Sequence, residues 1–230
     1  MNLSSNVPPS SPTDRWLTLD DIADLRAYEH ERDDRRARII DLKRRRRIGI
    51  GPLVSAVFEN RETVRFQVQE MVRAERMVSD SQIQAELDAY NPLIPLPGEL
   101  SATVFIELTD AALLREWLPK LVGIEHHFEL RIGGGGGSAG ADPGAEWSLA
   151  DAVVGEPDAS HEEALTRTDV TSTVHYLRFR LTTEQVDRFG VGPVSLASVH
   201  PAYAAVAELG PETRAELMLD LVDGPPHPVK

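Results

Sequence analysis

The sequence predicts an α+β fold, with a largely antiparallel sheet of about five strands carrying a long N-terminal helix, a central helix pair and C-terminal helices. Three observations point there. Apolar residues recur at helical spacing through Tyr90 and again near the end of the chain. Between those regions, short runs rich in β-branched and aromatic residues alternate apolar with polar. The runs are joined by short connections, which suit antiparallel neighbours and not the long crossovers that parallel strands need.

Residues 1–14, rich in Ser, Pro and Asn without periodicity, read as a disordered lead, and 15–223 as a single domain. A long helix is expected from Leu19 or Asp20, with Ile22, Leu25 and Tyr28 on one face and Ile39 and Ile40 resuming it. Arg32, Arg35 and Arg36 interrupt that face. Two readings stay open: they are solvated or paired with acids of their own helix, or they meet Glu70 and Glu75 of the central helix. Lys43, Arg44, Arg45, Arg46 and Arg47 form the one dense basic run. At a helix C-terminus such a run suits the macrodipole, and it leads into Ile48-Gly49-Ile50-Gly51, the entry to a strand.

A first strand is expected over 52–58, after which Asn60 stands as N-cap of a helix with Val64, Val68, Met71, Val72 and Val78 in one stripe. Gln67 and Glu75 fall on or beside the stripe, where an unpartnered polar group costs roughly 1–3 kcal/mol. Ser79 and Gln82 make a capping box for the next helix, and Pro92 is expected to force Asn91 out of helical geometry. Pro92, Pro95 and Pro97 then stiffen an extended segment that presents Tyr90, Asn91, Leu93 and Ile94.

A second strand follows over 102–108, a helix capped by Asp110, and an alternating strand over 124–132 with His126 facing in. Residues 133–145 read as a flexible glycine-rich loop and 146–154 as a returning strand. The longest strand is expected over 170–181, with His175 on one face and Tyr176 on the other. A short helix over 183–189 and a strand over 194–199 come next. Two short helices split by Gly210-Pro211 should close the fold, with 224–230 a disordered tail.

At 230 residues and 41% apolar content the chain can bury a sizeable core. It has no cysteine, which excludes disulfides, thiolate metal ligation and any cofactor bound through cysteine. No signal-peptide pattern opens it and no apolar run approaches the roughly 20 residues of a membrane helix, so a cytoplasmic location is expected. The net charge of −13 is uneven: residues 1–50 hold eleven Lys or Arg against nine Asp or Glu, leaving −15 on the rest. An acidic body is a poor nonspecific nucleic-acid binder.

Phe58-Glu59-Asn60, Gln67-x-Gln69-Glu70-Met71-x-Arg73-x-Glu75, Tyr90-Asn91-x-Leu93-Ile94-Pro95 and Glu99-Leu100-x-Ala102-Thr103 resemble the bacterial and archaeal domain-of-unknown-function family 3501. The resemblance runs from about Leu17 to Leu221, and His200-Pro201-x-Tyr203 also fits; the glycine-rich 133–144 stretch departs from the pattern. Membership implies no activity. It does imply genes lying beside those of iron–sulfur oxidoreductases and rubrerythrin-like proteins, and with them a partner of that kind.

No H-E-x-x-H, E-x-x-H, G-x-S-x-G, P-loop or dinucleotide fingerprint is present. Three readings of function follow. The favoured one is an accessory or interaction protein beside an iron–sulfur or rubrerythrin-like system, with Tyr90, Asn91, Leu93 and Ile94 as the interaction segment and a homodimer open to it. The second is an enzyme using Glu70, Glu75, His175 and His200, or a divalent-metal protein adding Glu59 to that set. The third is phosphate or nucleic-acid binding through 43–47, which the acidic body disfavours.

Overall fold

Nine strands, all paired antiparallel, form two sheets among the described residues, which are 15–133, 151–158 and 169–222 of this computed structural model. The first sheet has the order β1-β2-β3-β7-β6, from Arg47–Ile50 (β1), Val54–Glu59 (β2), Glu99–Ile106 (β3), Glu156–Pro157 (β6) and Val174–Arg180 (β7). The second has the order β5-β4-β8-β9, from Phe128–Ile132 (β4), Ala152–Val154 (β5), Val194–His200 (β8) and Tyr203–Glu208 (β9). The α+β class is as expected, with the strands divided between two sheets. The expected disordered ends and most of the glycine-rich loop lie outside the described residues, as do 146–150.

Strand alternation gives the first sheet two faces, each with its own core. Val54, Ala56 and Phe58 of β2, Leu100, Ala102 and Val104 of β3, and Leu177 and Phe179 of β7 meet Phe128, Leu130, Leu196 and Tyr203 of the second sheet in one continuous cluster. The opposite face, carrying Tyr176, packs on a second cluster built from Val64, Val68, Val72, Leu87, Leu93 and Ile94. Those residues belong to helices α2 (Arg61–Ala74) and α3 (Asp80–Tyr90) and the turn after them. Helix α1 (Leu25–Arg46) is polar nearly all round and buries only Tyr28, Ile39 and Arg46. Three further helices are α4 (Ala111–Trp117), α5 (Thr183–Val191) and α6 (Pro211–Val222).

Helix starts follow local chemistry. Asn60 Oδ1 accepts from the Thr63 amide at 3.0 Å while Thr63 Oγ1 accepts from the Asn60 amide at 2.9 Å, a reciprocal cap at the head of α2. Asp24 and Asp110 cap α1 and α4. At Gly51, φ is +67° and a Cβ would lie 2.6 Å from the Tyr203 hydroxyl. That hydroxyl donates to the Ile50 carbonyl and accepts from the Leu53 amide, so only glycine lets β9 clamp the β1–β2 turn.

Four expectations are corrected. Residues 203–208, alanine-rich and helical by propensity, form β9, because the tight turn after His200 returns the chain along β8 with His200 opposite Tyr203. Residues 124–126 form a short 3-10 turn, which breaks the alternation, leaving His126 exposed and Glu125 buried. Asn91 stays right-handed helical before Pro92, held by its side chain, which accepts from the Leu17 amide at 2.7 Å and donates to the Leu17 carbonyl at 3.0 Å. Val78 is 83% exposed, beyond the end of α2.

Candidate functional site

The antiparallel contact of α1 with α2 is built on one carboxylate. Glu70 accepts two bonds from Arg32, each 2.9 Å, and one from the Tyr28 hydroxyl at 2.7 Å. The Arg32 bonds, with help from Tyr28 and Arg73, hold the Glu70 carboxyl down to about 2 from its ordinary 4.5, against the opposing pull of burial. A carboxyl lowered in the folded state stabilises the fold above its ordinary value and loses that contribution as pH falls toward about 2. Glu70→Gln should therefore lower the melting temperature at pH 7, with the difference from wild type shrinking steadily below pH 4.5. A difference independent of pH would contradict this role. Gln69, on the same turn, accepts from the Ala23 amide at 2.9 Å and donates to its carbonyl at 3.0 Å, fixing the segment before α1.

Beyond this lock the two helices part around a cleft of about 510 Å3. Its apolar lining includes Ile39, Leu42 and Phe66, and its charged lining is Arg35, Arg38, Arg45 and Arg65 against Asp41 and Glu62. Leu42 and Phe66 are half-buried and lie outside both cores. Arg38 is exposed and makes no ion pair or hydrogen bond among the described residues. Arg35 is held by Glu31 at 2.8 Å, and Arg65 donates to the Asp21 carbonyl at 2.8 Å.

A smaller pocket of about 220 Å3 lies between the Tyr176-bearing face of the first sheet and the helices. Its strand side is Glu59, Thr103, Phe105, Val174 and Tyr176; its helix side is Val64, Gln67, Tyr90 and Leu93, with Lys43 from the end of α1. Glu59 is 7% exposed, and its Oε1 accepts from Thr103 Oγ1 at 2.7 Å. Burial, opposed by a bond from Gln67, pushes the Tyr90 phenol up, and burial with the neighbouring Tyr90 and Glu59 does the same at Tyr176. Both phenols thus remain protonated donors across the neutral range.

The family described as Protein of unknown function (DUF3501) matches residues 16–221. The chain belongs to this family. It is also similar to a solved structure, a novel protein of unknown function from Burkholderia pseudomallei K96243, at 34% identity and a TM-score of 0.76, covering 89% of this chain and 98% of that one. No curated protein matches the sequence. The motif residues of this DUF3501 chain are scattered over several segments, and the fold gathers Glu59, Gln67, Tyr90, Leu93 and Thr103 around the smaller pocket.

The expected Glu/His set does not converge. Glu59 and His175 lie on opposite faces of the first sheet by strand alternation. Glu70 is committed to Arg32, and Glu75 is exposed at the C-cap of α2, with no arginine of α1 paired to it. His175, 4% exposed, has Nε2 3.0 Å from both Thr171 Oγ1 and the Ser172 carbonyl, with Nδ1 3.7 Å from Glu125 Oε2. His200 donates from Nε2 to the Val122 carbonyl at 3.3 Å and accepts at Nδ1 from the Ala202 amide at 3.2 Å, which assigns it a neutral tautomer. Burial lowers its pKa in the same direction. Glu125 is thus the neighbour of His175, while His200 packs edge-on against His127 with ring centroids 5.0 Å apart. Among the described residues no group of three or more His, Asp or Glu is arranged to hold a metal ion.

The basic run is largely consumed inside the molecule. Arg44 pairs with Asp41 at 3.0 Å, Arg45 with Asp41 and Glu216, and Arg47 with Glu107 at 2.7 Å. Arg46 is fully buried, bonded to Asp220, to Glu216 at 3.2 Å and to the carbonyls of Phe58 and Glu59. Within the run, Lys43 alone makes no ion pair to a described residue. The expected interaction segment is likewise largely internal: Asn91, Leu93 and Ile94 are buried, because the 3-10 turn at Pro92 folds them under α3, and Tyr90 and Leu93 line the smaller pocket. Sequence reasoning missed Glu125, held Arg46 only as one of the basic run and Thr103 only as a motif residue; strand alternation, which sets Thr103 two residues from Ser101 on the face that carries Glu59, was the signal that could have placed it.

Proposed function

We propose that this DUF3501 chain is an accessory protein that receives an acidic segment of a protein partner, with an apolar anchor, in the cleft between α1 and α2. The observation that carries the reading is the pairing of half-buried Leu42 and Phe66, outside both cores, with the unpaired Arg38 on a chain of net charge −13. Apolar side chains in a concave site supply contact, and cations on its rim steer an oppositely charged partner and set register. Asp41 and Glu62 in the same lining would repel a continuous phosphate backbone, which favours a protein partner over nucleic acid. No described helix is long and apolar enough to cross a membrane, which fits a reading in which the chain works on a partner in the cytoplasm. The partner class comes from the family resemblance: an iron–sulfur oxidoreductase or a rubrerythrin-like protein.

The chain, tagged and purified from its native host, should bring down a protein of that class identified by mass spectrometry. Arg38→Glu with Phe66→Ala should abolish its recovery at an unchanged melting temperature, and raised salt should weaken the wild-type complex. Recovery of the partner by the doubly substituted chain would overturn the reading. So would sedimentation showing a homodimer dissolved by the same substitutions, since the cleft would then hold a second copy.

A further inference from the structure

The smaller pocket shares no lining residue with the cleft and stands on separate observations. The first is electrostatic. Glu59 is a buried carboxylate whose one side-chain bond is to the neutral Thr103 hydroxyl, and no cation among the described residues pairs with it. Removing a charge from water without a counter-charge is costly, and such groups are normally paired. Lys43 lines the same pocket, equally unpaired, and its nitrogen is more than the 4.0 Å of an ion pair from the Glu59 oxygens. The pocket thus holds one anion and one cation that do not meet each other.

The second observation is the space between them. A volume of about 220 Å3 is that of about seven waters at roughly 30 Å3 each. It falls below the roughly 300–1,000 Å3 of sites for larger ligands, which suits a molecule smaller than a nucleotide. Its walls supply apolar contact from Val64, Leu93, Phe105 and Val174, with Tyr90 and Tyr176 adding aromatic faces beside the carboxylate.

We infer that this pocket binds a small zwitterion of the α-amino-acid class with an apolar side chain. Its ammonium group lies against Glu59 and the tyrosine rings, its carboxylate against Lys43, and its side chain against Leu93, Phe105 and Val174. Each unpaired charge of the pocket then has a partner, and the aliphatic body fills the remaining volume.

Isothermal titration calorimetry with three probes tests this: L-leucine, isopentylamine (leucine without its carboxylate) and 4-methylpentanoate (leucine without its ammonium group). L-leucine should bind saturably in the millimolar range or tighter, and each of the other two should bind more weakly. Glu59→Gln, which keeps the acceptor for Thr103, should weaken L-leucine and isopentylamine by roughly tenfold or more. Lys43→Met should weaken L-leucine and 4-methylpentanoate comparably while leaving isopentylamine unchanged. That crossed pattern is one a merely structural role would not produce. No saturable binding of L-leucine, L-valine or L-phenylalanine to the wild-type chain at millimolar concentration would overturn the inference. Equal binding by wild type and both variants would overturn it too. Should Glu59→Gln fail to fold, the selective effect of Lys43→Met on carboxylate-bearing probes decides alone.

Discussion

Arg46→Met is expected to lower the unfolding free energy by about 3–5 kcal/mol, the cost of leaving one partner of a buried ion pair alone. Arg46 has no solvent exposure, and its guanidinium serves Asp220, Glu216 and the carbonyls of Phe58 and Glu59 together. It thereby ties the end of α1 to α6 and to the exit of β2. Burial already pushes the Asp220 carboxyl up against the pull of Arg46, so removing the arginine raises it further. An acid whose folded pKa is raised destabilises the fold most at high pH. The deficit of the single variant should therefore shrink as pH falls and Asp220 takes up a proton. Urea denaturation across pH reads both effects, and Arg46→Met with Asp220→Leu should recover most of the loss, because an apolar pair of similar volume replaces the ions. Additive losses in the double variant would show that the pair is not coupled.

Ile94→Ala should cost about 2–5 kcal/mol, as expected for truncation of a buried aliphatic chain. Ile94 is 4% exposed and packs in the second core with Leu87, Leu93 and Val68. The value should fall toward the upper part of that range, because the neighbouring Asn91 is bonded on both sides to the Leu17 backbone and the turn at Pro92 limits collapse into the cavity. The Asn91 bonds also predict that the segment before α1 loosens in the same variant, seen as faster amide exchange at Leu17. Near-wild-type stability under chemical denaturation would restore the surface reading of this segment.

Much of the fold was legible because it rests on local chemistry. Asn60 and Asp110 as caps, the Val64–Val68–Val72 stripe, and the alternation that puts His175, Leu177 and Phe179 on one face of β7 are each fixed by neighbours in the sequence. Where two local signals compete, the sequence misled: alanines favour helix over 204–207, and only pairing with β8 makes that segment a strand. The candidate site was half legible. Glu59, Gln67, Tyr90 and Leu93 stood in motifs that resemble the family's, yet nothing in their spacing brings Lys43 and Tyr176 to the same pocket.

By itself the sequence determined the α+β class, the absence of thiol chemistry, and membership in a family with no assigned activity. The tertiary structure alone decided which charges are spent and which are free. Arg46 and Lys43 are three residues apart in one basic run, and the first is sealed against Asp220 while the second lines an open pocket. Charge is a property of the residue, but its pairing depends on chain segments more than a hundred residues away, and on the burial that makes an unpaired charge costly.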